Sequence, residues 1–240
     1  MLYLIGLGLN EKGISNEGFE VISRCKKVYL ETYTINFPYN PKYLEELFQK
    51  RIEFLDRKEV ESERLIKEAK KEDVCLLIYG SPLFATTHTA LILDCNKAKV
   101  KTKVIHSASV LDSISETGLQ LYKFGKISSM PKWQKNFTPD SFLDFVIQNK
   151  SIGAHSLILI DIGLQFNEAI KQLILSCKNK NFFIEKLVVC SLLGTNKSKI
   201  FYSNIKNIKK LSSKILSPYC FIIPGEMHFV EKESLERFLV

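Results

Sequence analysis

The sequence lacks the cysteine spacing on which zinc sites and disulfide frameworks depend. No two cysteines form a Cys-x-x-Cys pair, and the six cysteines are scattered along the 240 residues. Neither a metal site nor a disulfide scaffold is therefore expected. Cys75, Cys190 and Cys220 each lie inside an apolar run, where a thiol acts as a small hydrophobic group, so they are predicted to be core residues.

Long apolar runs, internal repeats and low-complexity tracts are also missing. No run is long enough to span a bilayer, and no basic leader precedes an apolar run at the N-terminus, so a cytoplasmic protein without a membrane partner is predicted. Hydrophobic residues make up 45% of the chain and charged residues 25%. That balance and length indicate a globular protein of two ordinary α/β domains.

The sequence opens with an apolar strand that ends in glycine. Residues 2–5 are apolar and lead into Gly6-Leu7-Gly8-Leu9, residues 14–25 have helical spacing, and residues 28–30 form a second apolar run. Glycine has no Cβ, so another molecule can approach the backbone closely at this turn. The pattern predicts a β-turn-α-β unit with either a ligand or a tight turn at the end of the first strand.

Phosphate-binding patterns in this unit are incomplete. The third glycine of a dinucleotide fingerprint is replaced by Glu11, whose carboxylate would repel a pyrophosphate, although Glu31 imitates the ribose-binding acid. The Gly-Lys-Ser/Thr end of a phosphate loop is absent altogether. These departures argue against a nicotinamide or nucleoside triphosphate ligand.

Two more predicted strands of the first half, the first a continuous apolar run and the second a short strand, end in small residues. Residues 74–79 end at Gly80-Ser81-Pro82, and residues 102–106 end at Ser107-Ala108-Ser109. Helical patterns at residues 62–73 and 86–97 alternate with these strands, which predicts a parallel sheet. Ligands bind at the carboxyl ends of strands in such sheets, where all three turns fall.

The second half has a different pattern. Apolar strands are predicted at residues 156–162, 187–193 and 220–223, with residues 200–202 pairing beside the second of them. Helices are predicted at residues 140–148 and 167–177. The shorter connections predict a mixed sheet, and we expect an N-terminal α/β domain at residues 1–111 and a C-terminal one at residues 112–240.

The net charge of +8 has two interpretations. Lysine is spread widely instead of gathering beside aromatic residues, so a nucleic-acid partner is not predicted. Residues 197–214 are the one dense basic stretch, with six lysines and no acid. They form either a solvated helix face or an electrostatic docking surface for an acidic macromolecule.

Five phrases together resemble the archaeal diphthine synthase family, which shares the tetrapyrrole-methylase fold. They occur in the family's order and extend over nearly the whole chain: Tyr3-Leu4-Ile5-Gly6-Leu7-Gly8-Leu9, Tyr29-Leu30-Glu31-Thr32-Tyr33-Thr34, Gly80-Ser81-Pro82-Leu83-Phe84-Ala85-Thr86-Thr87-His88, Thr117-Gly118-Leu119 with Tyr122-Lys123-Phe124-Gly125-Lys126, and Pro224-Gly225-Glu226-Met227-His228. The Ala-Thr-Thr-His and Tyr-Lys-Phe-Gly-Lys phrases narrow the resemblance from the wider fold to this family.

The resemblance implies an enzyme with two α/β domains, a parallel N-terminal sheet, a mixed C-terminal sheet and a cofactor cleft between the domains. It implies a cytoplasmic homodimer that uses S-adenosylmethionine to trimethylate the amino group of the modified histidine of translation elongation factor 2, a step of diphthamide biosynthesis. A same-fold methyltransferase acting on a tetrapyrrole or ribosomal RNA, and an inactive protein-binding relative, are the alternatives.

Eight positions match the family's cofactor contacts. They are Leu9, Ser81, Phe84, Ser109, Val110, Ile160, Leu193 and Tyr219. This sequence departs from the family's usual Asp at Ser81, from its usual His at Tyr219 and from its usual Pro at Ala108. Loss of a carboxylate near a cationic ligand weakens binding by on the order of 1 to 2 kcal/mol unless another oxygen replaces it.

No catalytic residue is assigned, because methyl transfer to an amine is an in-line displacement without a covalent enzyme intermediate. Six side chains have both a substrate-side and a structural interpretation: Tyr122 and Lys123 as substrate-orienting or surface residues, His88 and His228 as site residues or partners of backbone groups, Asp161 as a substrate contact or a loop cap, and Trp133 as a stacking or packing residue.

Overall fold

The computed structural model describes all residues from Met1 to Val240. The contacts within the chain separate it into two compact units, Met1–Val110 (unit 1) and Leu111–Val240 (unit 2). Each unit contains one five-stranded sheet. No helix combines the length and the apolar character that crossing a membrane requires.

Unit 1 is built on a parallel sheet with the strand order β3-β2-β4-β1-β5. Its strands are β1 (Leu2–Gly6), β2 (Lys27–Glu31), β3 (Glu53–Leu55), β4 (Val74–Ile78) and β5 (Thr102–Ile105). Its helices are α1 (Asn16–Arg24), α2 (Tyr43–Phe48), α3 (Arg57–Val60), α4 (Arg64–Ala69) and α5 (His88–Lys97), while α6 (Val110–Ser113) contains the boundary between the units. The predicted parallel sheet is confirmed.

Both faces of this sheet are covered, which explains why its central strands are apolar at every position. Leu4 and Leu76 point into one core with residues of α4 and α5, whereas Ile5 and Leu77 point into the other with residues of α1 and α2. Successive side chains of a strand alternate between faces, so a strand buried on both sides needs a continuous apolar run.

Unit 2 has a mixed sheet with the order β6-β7-β10-β8-β9, in which β6 and β7 are parallel and the other pairs antiparallel. Its strands are β6 (Ser128–Met130), β7 (Ser156–Ile160), β8 (Leu187–Ser191), β9 (Lys199–Ser203) and β10 (Tyr219–Ile223). Its helices are α7 (Phe142–Ser151), α8 (Phe166–Asn179), α9 (Ile205–Lys210) and α10 (Phe229–Glu236). The mixed sheet is also as predicted.

Two strands of unit 2 end two residues earlier than their apolar patterns. β7 stops at Ile160 because the Asp161 carboxylate accepts the Ile162 N–H at 2.9 Å and turns the chain. β8 stops at Ser191 because Leu192 has a left-handed conformation with φ 55°. The hydrophobic runs of the sequence therefore extend past the ends of these strands into turns, where leucines are buried.

Candidate functional site

The three small-residue turns of unit 1 meet at the carboxyl edge of its parallel sheet. A Cβ built on Gly6 would lie 2.6 Å from the Gly80 carbonyl oxygen and 3.0 Å from Cβ of Ser107. The Gly80 N–H donates to the Gly8 carbonyl at 2.9 Å, so backbone pairing of β1 with β4 continues beyond the strands. This convergence is the arrangement that the sequence predicted for a ligand site.

Close backbone packing fixes the first of these turns. Gly8 has φ +71°, and a Cβ on it would lie 2.8 Å from the Gly13 carbonyl oxygen. The Gly13 carbonyl accepts a hydrogen bond from the Ser107 hydroxyl at 2.8 Å, and the Leu9 carbonyl accepts one from the Tyr79 hydroxyl at 2.9 Å. Sequence reasoning identified Gly6 and Gly8 but missed Gly13, which makes the turn tight enough to touch itself.

Five of the eight predicted cofactor contacts lie along these turns. Leu9 is buried after the first turn, Ser81 and Phe84 are half-buried after the second, and Ser109 and Val110 follow the third. The Ser81 hydroxyl makes no hydrogen bond to another group of the chain. The turns therefore present main-chain groups, one hydroxyl and apolar side chains, and contact with a cofactor stays a prediction.

The other three predicted contacts share one edge of the unit 2 sheet. Ile160 is the last residue of β7, Leu193 follows β8, and Tyr219 begins the antiparallel strand β10. Cys220 pairs with Leu159, so Tyr219 and Ile160 are neighbours at that edge. The structure brings these residues together within unit 2, and their role also stays a prediction.

The Tyr219 side chain is used for packing. Its hydroxyl donates to the Leu164 carbonyl at 2.8 Å, and its ring contacts Phe166 edge-on with centroids 5.7 Å apart. Burial raises the pKa of the Tyr219 hydroxyl, which keeps it protonated as a donor. The Tyr219 hydroxyl is therefore bonded within unit 2 and is not a free donor for a ligand.

The structural interpretations of Asp161 and Trp133 agree with the contacts. The Asp161 carboxylate accepts the backbone N–H of Lys132 and that of Ile162, both at 2.9 Å, and so caps its loop. The Trp133 indole N–H donates to the Pro139 carbonyl at 2.9 Å. Both side chains stabilise the polar loop that surrounds β6.

Two of the phrases that carried the resemblance meet in unit 1. His88 is buried, its Nδ1 lies 3.1 Å from the Pro82 carbonyl oxygen and must donate, and its Nε2 therefore accepts the Tyr33 hydroxyl at 3.3 Å. Burial lowers the pKa of His88, against an opposing effect of the Glu31 charge, so the ring is neutral near pH 7. His88 thus ties the loop after β2 to the turn that contains Ser81.

The Glu31 carboxylate, which resembled a ribose ligand, is fully buried and serves its own loop. One oxygen accepts the backbone N–H groups of Tyr33 and Thr34, each at 3.1 Å, and the other accepts the Thr34 hydroxyl. Because the Glu31 carboxylate is fully buried and already accepts three donors of its own loop, it is not accessible to a ribose hydroxyl, which argues further against the dinucleotide interpretation.

Beside this loop lies a cavity of about 520 Å³ between α4 and α5. Tyr33, Thr87 and His88 line one end, and charged residues of both signs line the rest. None of the eight predicted cofactor contacts lines it. The cavity is therefore distinct from the predicted cofactor contacts.

The phrases of the second half meet around the buried carboxylate of Glu231. It accepts hydrogen bonds from Lys123 Nζ at 2.5 Å, His155 Nε2 at 3.0 Å, the Gln120 N–H at 2.9 Å and the His228 N–H at 2.8 Å. Burial acts to raise the pKa of Glu231, but these donors outweigh it and lower the pKa to about 2. Lys123 is therefore held by a structural ion pair.

His155 extends this cluster with a defined tautomer. Its Nδ1 accepts the Gly225 N–H at 2.8 Å, so its proton is on the Nε2 that donates to Glu231. Burial lowers the pKa of His155, although the Glu231 charge opposes the shift. Sequence reasoning missed both His155 and Glu231. Of the neighbouring candidates, Tyr122, which is 83% exposed, and the exposed His228 ring, which contacts Phe229 with centroids 4.2 Å apart, remain available to a substrate.

Comparison with known proteins adds to this geometry. Residues 1–209 match the tetrapyrrole (corrin/porphyrin) methylase family. A Dictyostelium discoideum protein named diphthine methyl ester synthase is 35% identical, with the alignment covering 100% of this chain and 98% of that protein. The Bos taurus protein of the same name is 44% identical over 69% of this chain, and the alignment covers 59% of its length.

A solved structure is similar along the whole chain. The crystal structure of a diphthine synthase superposes with a TM-score of 0.91 at 30% sequence identity, covering 99% of this chain and 95% of the other. Similarity of fold and sequence therefore extends over both units.

Proposed function

This chain belongs to the tetrapyrrole methylase family and, within it, to the diphthine methyl ester synthases, and from that premise we propose that it is an S-adenosylmethionine-dependent methyltransferase of diphthamide biosynthesis. The observation that carries most weight is the full-length similarity to the Dictyostelium protein. Since the chain spans about 59% of the length of the cattle and fission yeast relatives, its activity, substrate and partner are all part of the proposal.

The converging turns fit S-adenosylmethionine in their chemistry. This cofactor has no phosphate, and the turns that contain Leu9, Ser81 and Ser109 offer main-chain groups, the Ser81 hydroxyl and apolar walls with no cationic cradle. Glu11, near the first turn, is compatible with a positive sulfonium and incompatible with a pyrophosphate. We assign all eight predicted contacts to this cofactor.

Methyl transfer from S-adenosylmethionine depends more on the position of the acceptor than on any single catalytic side chain. When bound, S-adenosylmethionine supplies a methyl group on a positively charged sulfur. The protein must hold the acceptor in line with that methyl, and such positioning accounts for roughly 7 to 11 kcal/mol of the barrier. A desolvating apolar wall, which Leu9, Phe84 and Val110 would provide, favours the neutral amine that has a free lone pair.

We propose the modified histidine of translation elongation factor 2 as the acceptor and, from the same resemblance, a cytoplasmic homodimer as the active form. The amino group of that side chain would receive three methyl groups. The relatives' name refers to a methyl ester, so a carboxylate oxygen of the same side chain is proposed to be methylated as well. The product would then carry a fourth methyl group.

Mass spectrometry of the acceptor protein tests this function. Elongation factor 2 with the unmethylated histidine derivative is incubated with this protein and S-adenosylmethionine, and the mass gain on the histidine peptide counts the methyl groups. Mild alkali removes an ester methyl and leaves N-methyl groups, so it separates three transfers from four. Unmodified elongation factor beside methylated RNA would overturn the proposal, and failure to bind S-adenosylmethionine would favour a non-enzymatic relative.

Restoring the family's acid at position 81 tests the cofactor assignment. We expect Ser81→Asp to bind S-adenosylmethionine about five- to tenfold more tightly, because a carboxylate beside a sulfonium contributes on the order of 1 kcal/mol. Isothermal titration calorimetry measures the dissociation constant. Ser81→Asn is the neutral control of the same size and should stay near the wild-type value. Equal affinities of the Asp and Asn proteins would show that position 81 does not face the sulfonium.

A further inference from the structure

The positive charge of this protein is concentrated in one segment. Unit 1 contains 17 Lys and Arg against 15 Asp and Glu, whereas unit 2 contains 17 against 11. Residues 186–225 contain seven lysines, no arginine and no acid. This segment accounts for the whole excess of basic over acidic residues in unit 2, so the net positive charge of unit 2 is concentrated in residues 186–225.

Six of these lysines form what we call the basic surface: Lys197, Lys199, Lys206, Lys209, Lys210 and Lys214. All six are exposed, and none forms an ion pair. On α9, Ile205 and Ile208 pack against the unit 2 core, whereas Lys206, Lys209 and Lys210 are exposed and lie at spacings of three and four residues. The helix therefore presents Lys206, Lys209 and Lys210 to solvent together.

Neither fold stability nor edge protection accounts for this surface. Like charges at helical spacings of three and four destabilise a helix, which offsets the favourable interaction of Lys209 and Lys210 with the C-terminal end of α9. Lysines on an edge strand can prevent edge-to-edge pairing, but β9 is already covered. The Tyr202 N–H donates to the Phe238 carbonyl at 2.8 Å, and the Val240 N–H donates to the Tyr202 carbonyl at 3.2 Å.

The composition of the surface favours a protein over a nucleic acid. Arginine, which binds phosphates in a bidentate way, is absent from residues 186–225. The aromatic residues Phe201, Tyr202, Tyr219 and Phe221 of the segment are buried and offer no platform for stacking bases. We infer that the basic surface docks an acidic surface of the protein substrate by long-range attraction, an inference that rests on the proposed function.

Charge reversal of α9 tests the inference. For the variant K206E/K209E/K210E we expect KM for the elongation factor to rise about tenfold or more at low salt, with kcat and the dissociation constant for S-adenosylmethionine unchanged. The wild-type kcat/KM should fall steeply as sodium chloride is raised, and the variant's should be nearly flat. If the lysines of α9 had only a structural role, the variant would keep the wild-type salt dependence, and KM would not change while kcat stayed the same.

Two control variants keep the result interpretable. K58E/K71E/K101E makes the same change of charge on exposed, unpaired lysines of unit 1 and should leave KM within about twofold of wild type. K206Q/K209Q/K210Q removes charge without placing acids near the end of α9, and its KM should lie between those of wild type and the reversed variant. Circular dichroism melting confirms that each protein is folded.

The outcomes separate this inference from the proposed function. If wild type methylates the factor and both reversal variants raise KM equally, net charge and not the basic surface is responsible, and the inference is overturned. If the α9 variant keeps its KM but loses retention of RNA in a gel-shift assay, the partner is a nucleic acid and the inference is equally wrong. If wild type transfers no methyl group to the factor, the proposed function itself has failed.

Discussion

The Gly6→Ala protein should bind S-adenosylmethionine at least about 100-fold more weakly than wild type. A methyl group on Gly6 would lie 2.6 Å from the Gly80 carbonyl oxygen, a backbone atom that can move only if β1 and β4 separate at their ends. Displacements of about 1 Å at a positioned site lower reaction rates by on the order of 100-fold, and we expect a loss of similar size in cofactor affinity here. Titration calorimetry measures the affinity, and circular dichroism shows whether the fold is retained.

Gly163 provides the control for this substitution. It has φ +74°, and no atom lies within 4 Å of the position that an added methyl group would take, so Gly163→Ala costs only backbone strain of about 1 kcal/mol. Its cofactor affinity should match wild type. A wild-type affinity for Gly6→Ala as well would show that the converging turns do not form the cofactor site.

The Glu231→Gln protein should lose about 3 to 5 kcal/mol of its free energy of unfolding. The substitution leaves Lys123 without its counter-ion, and one amide oxygen must replace two carboxylate oxygens that accept four donors. Urea denaturation of unit 2, followed by its single tryptophan, Trp133, measures the change. Glu233→Gln, an exposed neighbour on α10 without an ion pair, should stay within about 0.5 kcal/mol of wild type.

The same pair of proteins has a predictable pH dependence. The pKa of Glu231 is lowered from 4.5 to about 2 on folding, so its contribution is complete above pH 4.5 and is lost as the pH falls from 4.5 to 2. The difference between wild type and Glu231→Gln should therefore be constant at higher pH and shrink below 4.5. A difference that instead grows on acidification would contradict an ionised carboxylate in the folded protein.

Most of the fold could be predicted because several of its strands end in small residues. β1 and β4 are short, continuous apolar runs of this kind, β5 is a less apolar strand that ends in the same way, and their common direction follows from the helices between them. β3 and β6 were missed because each has only three residues and contains exposed positions. Such strands form because a neighbour offers backbone partners, and sequence alone does not show that neighbour.

The candidate site likewise has features that could be predicted from the sequence and features that could not. Parallel strands place their carboxyl ends at one edge, so the meeting of Gly6, Gly80 and Ser107 followed from topology. The partners of Glu231 did not, since Gln120 is 111 residues away and His155 is 76 residues away along the chain. The hydroxyl of Tyr219 was equally hidden, because a tyrosine in an apolar strand does not reveal whether it faces a ligand or a carbonyl.

The buried carboxylate of Glu231 also determines how unit 2 unfolds locally. It is bonded to the segment before Lys123, to His155 at the start of the β7 region, to the N-terminus of α10 and, through His155, to Gly225. Detaching any one of these segments leaves a charge stranded in the interior, so opening them singly is costly. Together these segments should open cooperatively, even though some of them lie outside helices and strands.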